Sequence, residues 1–329
     1  MGKTDIKAKI FDKDTITIDM FGYAFFRQFK YKVVTHARVF SLVPKIKFSK
    51  TIGLVITSAL GFLPTLFGYE NMCSWNKIKD FNIQLPTKNG QIDFDFIESF
   101  VAELEAQRLA KLEDYLNITG LKDYKLKDVE ISAIDNLKKV KWQELKIGDY
   151  FERVKTKKLP YKAKELPKEP TGEYILPVLT SSFMNQGLNY FAPKTGATII
   201  KNVISIPSNS DVYRSYYQSR EFSVLSDAYA IEWKDKNKKL SPNGYLFFVS
   251  CINKVTDLPI YSYKNKLGGW DVVKNKYIKF PVDKNGEIDF IFMENLMQAL
   301  KKLSMKDIII YLDRKISDMN DMKEDIVRW

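Results

Sequence analysis

The chain has 329 residues, 45% hydrophobic, 28% charged and 14% aromatic, which excludes a disordered or low-complexity protein and suggests about two domains. Fifty-two Lys and Arg against forty Asp and Glu leave a formal net charge of +12, which favours an acidic partner, a nucleic acid or an anionic surface, over a merely solvated lysine coat only weakly. Two cysteines, Cys73 and Cys251, are too few for a disulfide framework or a zinc site and point to a reducing compartment.

The first residues, MGKTDIKAKIFDKD, hold neither the apolar stretch of a secretory signal nor a myristoylation motif, so the expected location is cytoplasmic. Ile16 to Leu42 reads as a short Ile-x-Ile strand, a polar and aromatic turn with Arg27, Gln28, Lys30 and Lys32, and a further strand. His36, the single histidine, falls in the alternating stretch and is read as structural, because histidine chemistry needs partners that this chain does not offer nearby. Ile52 to Tyr69, IGLVITSALGFLPTLFGY, is nearly free of charge and raises the question of a membrane span, although Pro64 and three glycines interrupt it. Trp75 follows, then an alternating strand that ends at Pro86.

A helix is predicted next. KNGQIDFDFIESF, from Lys88 to Phe100, supplies an Asn-Gly turn, a cap at Asp93 or Asp95, and Glu98 placed for a capping box. Ile97, Val101, Leu104, Leu112 and Tyr115 form one apolar face at helical spacing. The other faces are acidic and would repel phosphate, so if the chain binds DNA this helix is a spacer and partner surface, not a reader. Gly120 is a plausible stop, and the lysine-rich stretch beyond it, residues 121–139, is read as an exposed linker.

From Trp142 a second unit opens with Trp-x-x-Leu-x-x-Gly-Asp at Trp142, Leu145, Gly148 and Asp149, and much of it repeats the first. Ile204–Trp233 matches the pattern of Ile16–Leu42, and Pro259, Trp270 and Pro281 keep the spacing of Pro64, Trp75 and Pro86. Lys284–Leu312 aligns with Lys88–Leu116 without a gap, with identities at Lys88, Asn89, Gly90, Ile92, Asp93, Phe94, Phe96, Glu98, Leu104, Tyr115 and Leu116. The second copy of the apolar stretch, Asn243–Tyr261, carries Asn253, Lys254 and Asp257, which no lipid-facing helix keeps without cause, so Ile52–Leu63 reads as a buried core helix leading into a strand. Met293, Met297, Leu300, Ile308 and Tyr311 repeat the apolar face of the spacer helix. The fold class is therefore α+β, a mixed unit plus a long helix, twice, and the two helices can satisfy each other by packing antiparallel in a coiled-coil manner. The copies are unequal: before Ile204 the second has about sixty residues that the first, with fifteen before Ile16, lacks.

No catalytic residue and no metal ligand set is predicted. Metal-ligand clusters, a phosphate-cradling glycine loop and a nucleotide-cofactor turn are missing, and the acid-then-Glu-x-Lys triplets at Glu144–Lys146 and Glu232–Lys234 are read as coincidences. The second triplet's counterpart in the first copy is taken as Ser41–Val43.

The order and duplication of these landmarks resemble the specificity subunit of type I restriction–modification systems and the specificity part of Bcg-like type II enzymes. The resemblance implies two target-recognition domains that each read half of a split DNA site, with spacer helices setting the distance. It implies methyltransferase subunits as partners, with a restriction subunit as a further candidate, S-adenosylmethionine and magnesium bound there and no cofactor bound here. On that basis residues 1–86 form an N-terminally incomplete first recognition domain and 87–120 the first spacer helix. Residues 121–139 are linker, 140–283 the second recognition domain, 284–316 the second spacer helix and 317–329 a tail. Base-edge and phosphate chemistry then singles out Arg27, Gln28, Lys30 and Lys32 in the first domain. In the second it singles out Asn209, Tyr213, Arg214, Tyr216, Gln218 and Arg220, with Tyr263, Lys264, Asn265 and Lys266 in a later loop. The alternative is a truncated or decoy fragment that binds methyltransferase subunits without complete DNA recognition.

Overall fold

The computed structural model describes residues 4–33, 38–46 and 49–327, with side chains described up to 318. His36 lies outside the described residues. The chain divides into two compact units, Met1–Ile118 and Thr119–Trp329. No described helix is long and apolar enough to cross a membrane.

Unit 1 begins with β1 (Ile10–Phe11), β2 (Thr15–Asp19), β3 (Ala24–Arg27), β4 (Tyr31–Lys32) and β5 (Val39–Leu42). β2 is the central strand of an antiparallel sheet ordered β3-β2-β5, and β1 pairs with β4. The Ile-x-Ile alternation places Ile16 and Ile18 in the core of unit 1 with Leu60, Leu63, Cys73 and Ile78. Helix α1 (Lys50–Ala59) starts at Ser49, whose side chain accepts from Ile52 N, and buries Ile52 and Gly53. The apolar stretch is thus a core helix, as its repeat partner demanded. It runs into a short helical turn at Leu63–Thr65 rather than a strand. The four-residue α2 (Trp75–Ile78), the small hairpin of β6 (Thr87–Lys88) and β7 (Gln91–Ile92), and α3 (Phe94–Ile118) complete the unit.

Unit 2 opens with a helix where a linker was expected: α4 (Asp128–Asp135). It packs on the last helix of the unit. Its apolar Val129 and Ile131 are exposed while Glu130 and Ala133 are buried, so its burial does not follow its hydrophobic pattern. β8 (Lys141–Lys146), α5 (Ile147–Tyr150) and β9 (Phe151–Arg153) come next, then the hairpin of β10 (Tyr174–Leu179) and β11 (Leu188–Pro193). β12 (Val203–Pro207), β13 (Tyr216–Gln218), β14 (Ser223–Val224) and β15 (Ala228–Trp233) follow. One sheet has the order β13-β12-β15-β9 and a second the order β11-β10-β14. α6 (Pro242–Thr256), α7 (Trp270–Val273), β16 (Tyr277–Val282) and α8 (Phe290–Val327) end the chain. The last helix continues to Val327, beyond the expected boundary at residue 316.

The repeat is physical as well as textual. Ile16 lies opposite Leu42 and Phe26 in unit 1, as Ile204 lies opposite Ile231 and Tyr217 in unit 2. Asp14 and Asn202 both precede the central strand in a left-handed conformation, φ 62° and 55°, one that Asp and Asn tolerate better than most residues. Ser49 and Ser241 both cap the core helix. The register also moves one correspondence: Glu232–Lys234 matches Val43–Lys45, not Ser41–Val43, and there too no acid stands in the first copy.

The opening motif of unit 2 has a packing reason. Gly148 N donates to Lys274 O at 2.8 Å, and a Cβ on Gly148 would stand 2.7 Å from that oxygen. Gly148→Ala is therefore expected to destabilise unit 2 by about 1–3 kcal/mol, because backbone cannot yield as a side chain does. Urea unfolding measures it, and an unchanged midpoint would refute the close approach.

Candidate nucleic-acid interface

In unit 2 three loops are tied into one surface. The β12–β13 connection is held by α6: Ser215 N and Oγ both donate to Asn253 Oδ1 at 2.7 Å, and Asn253 Nδ2 returns a bond to Ser215 O at 3.1 Å. At the end of the same helix Asp257 Oδ2 accepts from Arg214 Nε at 2.6 Å, and that hydrogen bond raises the guanidinium pKa further. Two of the polar residues that argued against a membrane helix, Asn253 and Asp257, thus have their cause: they fix a turn. That turn reaches the loop before α7 through Asp211 Oδ1, which accepts from Tyr263 N at 2.8 Å. Tyr213 and Tyr261 meet edge to face at 6.1 Å beneath them.

β13 supports the third loop, Ser181–Gly187. Tyr216 Oη donates to Phe183 O at 3.2 Å and Gln218 Nε2 to Gln186 O at 3.3 Å. Asp227 Oδ2 holds the loop's other end, accepting from Ser181 Oγ at 2.8 Å. Asn185 and Gln186 are both left-handed, φ 48° and 56°, a conformation that non-glycine residues keep only where surrounding contacts enforce it. Phe183, Met184, Asn185 and Gln186 are all exposed at its tip.

Sequence reasoning named most of this surface and missed that loop. The repeat offered no guide to it, since it lies in the part of unit 2 without a counterpart in unit 1. The available signal was a polar run closed by glycine, SSFMNQG, between two apolar strands. Of the residues named, Tyr216 and Gln218 support the loop, while Arg214, Arg220, Tyr263, Lys264, Asn265 and Lys266 are exposed around it. Lys266 Nζ sits 4.9 Å from the Tyr263 ring centre, and Asn265 turns its amide onto Ile260 O at 2.8 Å. Asn209 is half-buried. Tyr213 is 1% exposed and belongs to the core of unit 2, so its side chain packs where a surface contact was expected.

In unit 1 the corresponding turn is more occupied. Arg27 Nε donates to Thr17 Oγ1 at 2.8 Å and the guanidinium lies over Phe25. Lys30 is paired with Asp12 at 3.2 Å, Lys32 Nζ donates to Ile6 O at 2.9 Å, and Gln28 is exposed.

The spacer-helix residues divide. Ile97 and Met293 are buried, Val101, Leu112 and Met297 half-buried, and Leu104, Tyr115, Leu300, Ile308 and Tyr311 exposed. In α8 the buried line is Met293, Leu296, Ala299, Lys302, Ile309 and Leu312. Its many steps of three carry it around the helix, because α4 and α6 pack on α8 within unit 2.

The family model for the type I restriction modification DNA specificity domain matches residues 2–114 and 139–309. The type II specificity subunit S.BcgI of Heyndrickxia coagulans is 22% identical over 267 residues, covering 81% of this chain and 72% of that protein. Among solved structures, the type I S subunit from M. genitalium shares 16% identity at a TM-score of 0.49, over 98% of this chain and 84% of that one. The HsdS subunit from Thermoanaerobacter tengcongensis shares 11% at a TM-score of 0.32, over 95% and 78%. Matched across both of its units, the chain belongs to the type I restriction–modification DNA specificity family and is a specificity subunit, the part of such a system that recognises DNA sequence.

Proposed function

We propose that this specificity subunit reads a two-part site on double-stranded DNA, one part with each unit. The observation that supports this most is the duplication itself: both units carry a strand–turn–strand with basic and amide side chains, followed by a long helix. In unit 2 the reading surface is the three-loop cluster, with Arg214 and Arg220 as guanine-type readers and Asn185 and Gln186 as adenine-type readers. The helices α3 and α8 act as spacers, and their exposed apolar residues, Leu104, Tyr115, Leu300, Ile308 and Tyr311, receive methyltransferase subunits. Methyl transfer and cleavage are the work of those partners and of a restriction subunit, which bind S-adenosylmethionine and magnesium, and this chain itself is not catalytic. Its place is the cytoplasm, where the DNA is.

Selection of random duplexes by the chain with its methyltransferase partner should enrich two short motifs at one fixed gap. Enrichment of nothing above background would refute the reading. Arg214→Ala is expected to weaken binding to the selected duplex by about 1–3 kcal/mol and to relax one base position. Unchanged binding and unchanged preference would remove Arg214 from the readers.

A second reading has one observation in its favour: among the described residues unit 1 shows no counterpart of the β10–β11 hairpin of unit 2, which fits a decoy that docks on partners without complete DNA recognition. The same selection separates the two, because such a decoy enriches one motif alone or none.

A further inference from the structure

The loop Ser181–Gly187 carries two large apolar side chains where its neighbours carry charge. Phe183 and Met184 are 50% and 60% exposed and pack into none of the buried clusters of unit 2. A lone apolar side chain on a surface needs no explanation, whereas an adjacent pair held outward does. A pliant loop would fold them back onto the protein, because burial of apolar area is favourable.

This loop is held. Thr180 N donates to Gly187 O at 2.9 Å and closes its base. Ser182 N donates to Thr180 Oγ1 at 3.2 Å and Met184 N to Ser182 Oγ at 3.1 Å, so each hydroxyl braces the residue two further on. From β11, Asn189 Nδ2 donates to Thr180 Oγ1 at 2.7 Å. The bonds from Tyr216 and Gln218 to the carbonyls of Phe183 and Gln186 pin the loop on β13. Asn185, Gln186 and Gly187 then take three successive left-handed conformations, φ 48°, 56° and 92°. Glycine is needed at the last, where a Cβ would also stand 3.0 Å from Thr180 O. Backbone strain of this kind persists only where the surroundings enforce it, and here it keeps the tip raised.

Phe183 has no hydrogen-bonding group and Met184 only a weak acceptor, so neither suits a base edge. A flat ring and a soft thioether suit the face of a base. The charges around them, Arg214, Arg220, Lys264 and Lys266, are all exposed and favour a polyanion over an apolar protein surface. We infer that Phe183, together with Met184, enters a base step of the half-site read by unit 2, unstacks it and kinks the duplex there. The inference rests on the reading of unit 2 as a DNA surface. It adds a selectivity that needs no base-edge contact: a pyrimidine–purine step opens most easily and is therefore favoured at the point of entry.

The test uses the full chain with its methyltransferase partner on the selected duplex, labelled at both ends for energy transfer. The parent chain should shorten the end-to-end distance. Phe183→Ala with Met184→Ala should reverse much of that shortening and weaken binding about tenfold or more. Both residues are exposed, so this double variant should keep the parent's urea midpoint. When single mismatches are scanned across the half-site, one step should bind the parent about tenfold more tightly than the matched duplex, since it is already partly unstacked. That gain should vanish in the double variant and survive in Phe183→Trp. A double variant that binds and bends the duplex as the parent does would overturn the wedge and leave the DNA reading standing. A mismatch gain that persists in the double variant would assign the opening to the partner, and lost methyltransferase assembly with normal bending would make the tip a protein contact; either overturns the inference. Failure of the parent to select any duplex would sink the DNA reading and the wedge together.

Discussion

Lys302→Ala is expected to cost unit 2 about 3–5 kcal/mol, the range for breaking a buried ion pair from one side. Lys302 and Glu130 are each 3% exposed. Their charged atoms stand 3.0 Å apart, and Lys302 Nζ also donates to Lys125 O at 2.8 Å. Glu130 Oε2 in turn accepts from Lys127 N at 2.8 Å, so the carboxylate caps α4 while the ammonium anchors that helix on α8. Without Lys302 the carboxylate keeps one backbone donor and no counter-charge in a site closed to water. Urea unfolding of the chain, followed by tryptophan fluorescence, gives the cost in the transition of unit 2. Replacing both partners, Lys302→Met with Glu130→Leu, should recover most of the loss, because a well-packed apolar pair removes the desolvation of two charges. A single-variant loss under about 1 kcal/mol would place the pair among solvent-screened surface bridges.

That ion pair shows where sequence reasoning reached and where it stopped. The repeat carried most of the fold: the Ile-x-Ile strands, the core helix after Ser49 and Ser241, the Trp-led turns at Trp75 and Trp270, and the long helices all stand at matching places. These are local patterns, and two copies of a weak signal at one spacing make a strong one. The segment around Asp128–Asp135 escaped because its buried residues are a glutamate and a small alanine, while its exposed ones include valine and isoleucine. A polar stretch with a good partner elsewhere is indistinguishable, residue by residue, from a solvated linker.

The strand expected at 81–86 fails for the opposite reason. Its alternation is right, but a strand exists only with a neighbour, and among the described residues it has none. The reading surface was legible as chemistry and not as placement. Tyr213 and Tyr216 differ by three positions in one turn, yet one ring fills the core and the other hydroxyl holds a loop. Arginine and lysine candidates could be named from the turn, whereas their acidic partners Asp257 and Asp12, distant in sequence or unremarkable beside them, needed coordinates.

Those acidic partners govern the second large effect, the dependence of DNA binding on salt. If about five cations of the chain meet phosphates, the affinity should fall roughly 500-fold between about 50 and 200 mM salt, since each contact releases counterions. Lys264 and Lys266 are exposed with no ion-pair partner among the described residues and should contribute directly. Lys30 begins in a pair with Asp12, both exposed enough that the pair adds little to stability and can be exchanged for phosphate. The exchange has a signature. Asp12→Ala leaves the Lys30 charge in place and removes its competitor, so binding should tighten at low salt and the logarithmic salt slope should steepen by up to about one. Titrations of a selected duplex at four salt concentrations, on the chain and on this variant, measure both slopes. A parent slope shallower than about one would mean that the basic surface does not meet the phosphate backbone, and the +12 charge would then be a solvated coat.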